Sequence, residues 1–112
     1  MSVDATAAEA RGRLLAKVTP QSIGFRTGIA PVNVGWPFPR KLEIYEHGIL
    51  VSGLGASAWI PRASIRSLHR GPGNITLKWL SGDGTGSATV GSWFRIARVQ
   101  LALESAGYSV QP

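Results

Sequence analysis

Alternating apolar and polar positions fill the middle of the chain and predict β-strands. Between Leu42 and Gly53 the sequence reads L-E-I-Y-E, then H-G, then I-L-V-S-G, which is typical of two strands joined by a tight turn. Ile75–Leu80 alternates in the same way, so Ile75, Leu77 and Trp79 are expected to share one buried face. Both stretches therefore predict antiparallel hairpins with one apolar side.

Shorter apolar runs, each bounded by glycine or proline, predict the remaining strands. The run at Ala58–Ile60 ends at Pro61, and the loop Ser81–Gly86 is expected to close a hairpin. Ile23–Ala30 contains two glycines and is interpreted as a weak strand or a loop. Two further strands are expected at Ser64–Arg70, before the turn Gly71-Pro72-Gly73, and at Ser87–Val90. The chain is thus expected to form six or seven short strands.

The longest helical pattern comes last, over Ser92–Ala106, which contains neither glycine nor proline. Ser92 is interpreted as the N-cap and Gly107 as the C-terminal stop. The apolar stripe is expected to be centred on Phe94, Ala97 and Leu101 and widened by Ile96, Val99 and Leu103. Such a stripe would cover one end of the strands, so Leu101→Asp is expected to unfold the domain.

This order of strands followed by one helix argues against alternating strand–helix folds. Three signals then follow one another: Tyr45–Val51 (Y-E-H-G-I-L-V), Ile60-Pro61, and Ile65 with Leu68. Together with the final helix, this pattern over Leu42–Ala106 resembles bacterial pleckstrin-homology-like domains. The resemblance implies a mainly β fold: a strongly bent antiparallel sheet, or partly open barrel, capped by a C-terminal helix. It also implies a binding or scaffold module that is not an enzyme and needs no cofactor.

The domain organisation expected from these patterns is simple. Residues 1–16 are alanine-rich and are interpreted as an N-terminal tail or a short helix. Residues 17–110 are expected to form a single domain with the pleckstrin-homology-like fold. No stretch approaches the roughly 20 apolar residues of a membrane span, and the start lacks the apolar core of a secretory signal. We therefore expect a cytoplasmic protein that acts free in solution or at the inner face of the membrane.

Composition adds a basic charge and removes several chemistries. The 112 residues include 12 Lys and Arg against 6 Asp and Glu, a net charge of +6, and no cysteine. A chain without cysteine has no disulfide, thiolate zinc site or cysteine nucleophile. The excess of positive charge favours anionic partners, although the basic residues are spread along the chain as on an ordinary solvated surface.

Aromatic and basic residues are close together in the proline-rich segment Pro31–Lys41 (P-V-N-V-G-W-P-F-P-R-K). Three prolines and one glycine are expected to prevent regular structure over most of it. The favoured interpretation is a loop whose rings, Trp36 and Phe38, pin it to the core. The alternative is an exposed loop, ending in Arg40 and Lys41, that touches a membrane or a ligand.

A second basic group recurs every four residues at Arg62, Arg66 and Arg70, and Arg95 and Arg98 on the helix extend it. These arginines are either a solvated face or a surface for an anionic partner. The residues predicted to bind a partner or an anion are Trp36, Arg40, Lys41, Arg62, Arg66, Arg70, Arg95 and Arg98.

Catalytic and metal chemistry has no candidate residues. His47 and His69 lie far apart in sequence without a second ligand at helical spacing, and no metal site is expected. The predicted function, that of the interaction module which the resemblance implies, is docking to an unknown protein partner or to anionic lipid. The alternative is a small β-barrel that binds nucleic acid by base stacking on four aromatic residues. Those residues are Trp36, Phe38, Trp59 and Trp79.

Overall fold

The computed structural model describes residues 11–27, 30–81, 84–92 and 95–111. These residues form nine strands, a 3₁₀ turn at Arg62–Ser64 between the sixth and seventh strands, and an α-helix after the last strand. The strands are β1 (Leu14–Val18), β2 (Ser22–Thr27), β3 (Ala30–Gly35), β4 (Arg40–Tyr45), β5 (Gly48–Gly53), β6 (Ala56–Pro61), β7 (Ile65–Gly71), β8 (Asn74–Ser81) and β9 (Gly84–Gly91), and the helix is α1 (Ile96–Ser105). The mainly β prediction with a C-terminal helix is confirmed, but the expected number of strands is too low.

Two antiparallel sheets pack around one core. The first sheet has the order β1-β4-β5-β6 and the second the order β3-β2-β9-β8-β7. Both predicted hairpins are present, with Ile44 opposite Ile49 in the first sheet and Leu77 opposite Ala88 in the second. The expected alternation holds, since Ile75, Leu77 and Trp79 are buried while Thr76 and Lys78 point outward.

Two of the strands lie where the sequence predicts none. Strand β3 occupies the first part of the proline-rich segment and pairs only with β2, so it is an edge strand. An edge strand tolerates Pro31, because the amide hydrogen that proline lacks is not needed by a second neighbour. Strand β1 begins at Leu14, inside the predicted tail or short helix; residues 1–10 of that segment lie outside the described residues.

The sheets touch at the end of β5. An added Cβ on Gly53 would lie 2.6 Å from Cγ2 of Val34, which is buried in β3. A side chain at position 53 would therefore have to displace Val34 or push the sheets apart. This contact holds the end of the first sheet against the end of the second.

The helix differs from its prediction in its start and in its buried face. It begins at Ile96 with Arg95 at the N-cap position, so Ser92 is not the N-cap; the Ser92 backbone N–H donates to the Gly73 carbonyl at 2.9 Å. The buried residues are Ile96, Val99 and Leu103. Ala97 is exposed, Leu101 is 65% exposed, and Phe94 lies outside the described residues.

The expected place of Leu101 on the buried stripe is therefore wrong, for a geometric reason. Val99 and Leu103 are four residues apart and share one face of the helix, and Leu101 lies two residues from each, on the opposite face. The predicted stop at Gly107 is confirmed, with φ 91°. The Tyr108 N–H donates to the Leu103 carbonyl and the Gly107 N–H to the Glu104 carbonyl, the pattern of a Schellman motif.

Candidate functional site

Three large apolar side chains project into solvent at one end of the molecule. Trp36 is 77% exposed, Phe38 56% and Leu54 57%. The first two lie in the turn between β3 and β4, and Leu54 lies in the turn between β5 and β6. A hydrogen bond of 3.2 Å from the Leu54 N–H to the Pro39 carbonyl joins the two turns. We call Trp36, Phe38 and Leu54 the apolar tip.

The apolar tip reverses the favoured interpretation of the proline-rich segment. The rings do not pin the turn to the core, because β3 belongs to one sheet and β4 to the other. The turn that connects them runs past the end of the core, and no described element covers its rings. Exposed apolar side chains on two adjoining turns form a patch of the kind that marks an interaction site.

Leu54 adopts a backbone conformation that leucine disfavours. Its φ is 51°, and Gly55 beside it has φ 81°, in a two-residue connection between the paired residues Gly53 and Ala56. Hairpins of this length usually place asparagine, aspartate or glycine at such positions. A left-handed conformation costs a residue with a Cβ about 1–2 kcal/mol. Because the side chain is exposed, core packing does not offset this cost, which points to a role outside folding.

Four basic side chains lie beside the apolar tip. Lys17, Arg40 and Lys41 line a cavity of about 520 Å³ that Leu54 also borders. A second cavity, of about 300 Å³, is lined by Trp36, Arg40 and Arg95, among others. The structure thus brings together four of the predicted site residues, which are Trp36, Arg40, Lys41 and Arg95. The sequence did not single out Lys17 as a site residue. Its position depends on strand β1, whose sequence does not alternate between apolar and polar residues.

These cations do not all have the same freedom. Arg40 Nε donates to the carbonyls of Pro20 at 2.6 Å and Gln21 at 3.0 Å, and its Nη1 donates to the Phe38 carbonyl at 2.9 Å. Arg40 therefore braces the turn that carries the rings. Lys41 Nζ lies 3.3 Å from Glu43 Oε1, so the two opposite charges form an ion pair.

Lys17 and Arg95 carry the unpaired positive charge near the apolar tip. Both are exposed, and neither forms an ion pair with any residue that the structure describes. Glu46 lies past the far end of β4, where a carboxylate oxygen accepts from the Arg13 N–H. Glu104 lies in the last turn of α1, about 14 Å along the helix axis from Arg95. Within the described residues, only Glu43 brings negative charge near the tip.

A second group of rings and arginines lies at the opposite end of β4. Arg62 Cζ sits 4.3 Å from the centre of the Tyr108 ring, and Arg62 Nη1 donates to the Glu46 carbonyl at 3.1 Å. Arg11 lies over the rings of Tyr45 and Trp59, which meet edge to face at 5.7 Å. We call the residues Arg11, Tyr45, Trp59, Arg62 and Tyr108 the stacked cluster.

Tyr108 ties this cluster to the first sheet. Its hydroxyl donates to the Tyr45 carbonyl at 3.1 Å, and its side chain is buried. Burial raises the pKa of the Tyr108 phenol, and the nearby Arg62 guanidinium partly opposes that rise. These contacts are those of a structural unit, because every ring has a partner within the chain.

The predicted stripe of Arg62, Arg66 and Arg70 is not a single free surface. Arg62 belongs to the stacked cluster, and Arg70 Nη1 donates to Gln100 Oε1 on α1. Arg66 and Arg98 are exposed, and among the described residues neither forms an ion pair. The spacing of four residues belongs to a 3₁₀ turn followed by a strand, so it does not align the side chains as a helix would.

The four aromatics predicted for base stacking do not form one platform, because Trp79 is buried and Trp59 meets Tyr45 edge to face. No grouping of His, Asp and Glu that would hold a metal occurs in the ranges described. No helix in those ranges is long and apolar enough to cross a membrane.

The chain matches no family model, and no curated protein or solved structure is similar enough to it to count as a match.

Proposed function

We propose that the protein is a non-enzymatic module that docks on an anionic membrane surface through its apolar tip. The observation that carries the proposal is the exposure of Trp36, Phe38 and Leu54 on two joined turns with basic side chains beside them. We further propose that the two sheets and the closing helix are a pleckstrin-homology-like fold acting at the cytoplasmic face of a membrane. The strand-then-helix order supports this assignment, and an experimentally determined structure would test it.

Two weak forces would act together at the apolar tip. Burial of each large apolar side chain is worth about 1.5–3 kcal/mol, and tryptophan is the residue best suited to the headgroup region. Each Lys or Arg near an anionic leaflet adds about 1 kcal/mol. Stable membrane anchoring usually needs two such signals rather than one. Lys17 and Arg95 supply the electrostatic signal, since no described carboxylate neutralises them.

Arg40 has a different role in this proposal. Its guanidinium is committed to the carbonyls of Pro20, Gln21 and Phe38, so it holds the turn in shape rather than binding lipid. Replacement of Arg40 would disturb the turn and the charge together. The informative substitutions are therefore in the rings and in Lys17 and Arg95.

Flotation of the full chain with vesicles tests the proposal. We expect binding to vesicles that contain phosphatidylglycerol and little binding to pure phosphatidylcholine, with affinity falling as salt rises. Trp36→Ala should weaken binding about tenfold, the equivalent of about 1.4 kcal/mol. Leu80→Ala is the matched control: Leu80 is 46% exposed but lies near the end of β8, whereas Trp36 shares a cavity with Asn74 at the start of that strand. Failure to float with anionic vesicles at low salt would reject the membrane and leave a protein partner.

A further inference from the structure

We infer that the outer face of the second sheet carries a separate site for a phosphate-class oxyanion, formed by Ser67, His69, Thr76 and Lys78. These four side chains, together with Gln111, line a cavity of about 360 Å³. The site lies on the middle of β7 and β8, away from the apolar tip, and uses none of the residues proposed to meet a membrane.

The register of two neighbouring strands sets the geometry of the site. Ser67 pairs with Lys78, and His69 pairs with Thr76. Directly opposed residues have Cβ atoms about 5 Å apart, and residues two apart on one strand are separated by about 7 Å. The four side chains thus leave the same face of the sheet from the corners of a rectangle of about 5 by 7 Å. An oxyanion placed above this rectangle is within reach of all four.

The C-terminal segment closes a third side of the cavity. The Arg70 N–H donates to the Gln111 carbonyl, and the Gln111 N–H donates to the Leu68 carbonyl, both at 2.7 Å. His69 and Gln111 form a parallel bridge through these bonds. Gln111 is therefore fixed against the free edge of β7, and the cavity has a wall where an edge strand would otherwise leave it open.

Charge and hydrogen-bonding chemistry both select an anion. No Asp or Glu occurs in the described residues of the five strands of this sheet, which carry Arg26, Arg66, Arg70 and Lys78. The Lys78 ammonium offers three donors, and the imidazole of His69 offers one when neutral and two when protonated. The hydroxyls of Ser67 and Thr76 complete a ring of donors.

The two basic side chains of the site have no other partner within the described ranges. Neither His69 nor Lys78 forms a side-chain hydrogen bond or an ion pair there. Their donors are therefore available to the oxygens of a tetrahedral oxyanion, which accept several charge-assisted hydrogen bonds at once. The cavity also exceeds the size of inorganic phosphate, so a phosphomonoester would fit with part of its organic group.

Backbone amide shifts of the ¹⁵N-labelled full chain test the site directly. Inorganic phosphate and glycerol 3-phosphate are titrated separately at fixed pH and ionic strength, with chloride as the reference anion. We expect saturable shifts confined to the strands around Ser67, His69, Thr76 and Lys78. Lys78→Gln and His69→Gln should each weaken binding at least fivefold. Both residues are exposed, so the variants should keep the wild-type melting temperature.

Arg26→Gln is the matched control, because it removes one charge from the same sheet on a strand that does not touch the cavity. Shifts that do not saturate, or an equal loss in Arg26→Gln, would overturn the site and leave only diffuse attraction of anions. Vesicles in which phosphatidic acid replaces phosphatidylglycerol at equal charge form a further arm: tighter binding to them that Lys78→Gln removes identifies a lipid phosphate as the source. Equal binding of the two kinds of vesicle, together with saturable binding of the soluble phosphates, identifies a free metabolite. Flotation through the apolar tip is read separately with Trp36→Ala.

Discussion

The apolar tip and the stacked cluster use the same kinds of residue at opposite ends of β4, with opposite results. In the stacked cluster each guanidinium lies over a ring, and the Tyr108 hydroxyl is hydrogen-bonded to Tyr45. In the apolar tip the one arginine of the turn binds backbone carbonyls, and the rings of Trp36 and Phe38 remain exposed. Aromatic residues with internal partners serve the fold, whereas those without partners are free to contact another surface.

The largest expected difference between the two ends concerns the rings themselves. Tyr108→Ala should reduce the free energy of unfolding by about 3–4 kcal/mol, because a buried ring, its hydrogen bond and its contact with Arg62 are lost together. Trp36→Ala should change stability by no more than about 0.5 kcal/mol, as expected for an exposed residue. Chemical unfolding followed by circular dichroism measures both. Equal losses in the two variants would remove the distinction between the two ends.

The next effect compares charges. The double variant Lys17→Gln/Arg95→Gln should weaken binding to phosphatidylglycerol vesicles about thirtyfold, from about 1 kcal/mol for each charge. Arg26→Gln/Arg66→Gln removes the same net charge away from the apolar tip and should weaken binding by less than threefold. Flotation at constant ionic strength separates the two. A similar loss in both double variants would show that net charge, and not the tip, determines binding.

A smaller effect links stability to function at Leu54. Leu54→Asn should raise the free energy of unfolding by about 1 kcal/mol, because asparagine tolerates the left-handed backbone better than leucine does. The same variant should weaken vesicle binding, since an apolar side chain leaves the tip. Thermal melts and flotation on one preparation measure both. A variant that is more stable and binds vesicles equally well would mean that Leu54 has no part in docking.

The smallest expected effect concerns the outer face of the helix. Leu101→Asp should change stability by less than about 0.5 kcal/mol, because the side chain points away from Val99 and Leu103. Leu103→Asp is its counterpart on the buried face and should prevent folding. Calorimetry measures the melting temperatures of the two variants and of the wild type. Unfolding by Leu101→Asp would contradict the orientation of α1.

The parts of the fold that could be predicted depend on local signals. The β4–β5 and β8–β9 hairpins follow from alternation and glycine turns, and the end of α1 follows from Gly107. Edge strands β1 and β3 were missed, because a strand with one neighbour needs neither strict alternation nor the absence of proline. The face of α1 was misplaced, since Leu101 and Leu103 are equally apolar and only the tertiary contact distinguishes them.

The candidate site was less predictable for the same reason. The aromatic and basic composition of the proline-rich segment was visible in the sequence, but the exposure of Trp36 depends on which sheet each flanking strand joins. The grouping of Arg95 and Lys17 near that turn also depends on contacts between distant residues. No local sequence pattern predicts that Arg62 stacks on Tyr108, which is 46 positions later.

The close packing of Gly53 against Val34 inside the protein also affects the shape of its surface at the apolar tip. One turn of the apolar tip joins the two sheets and the other belongs to the first sheet, so their separation depends on how the sheets meet below them. A methyl group added at position 53 would act as a wedge, moving Leu54 away from Trp36 without altering either side chain. A change in packing at Gly53 would therefore also change the shape presented to a partner.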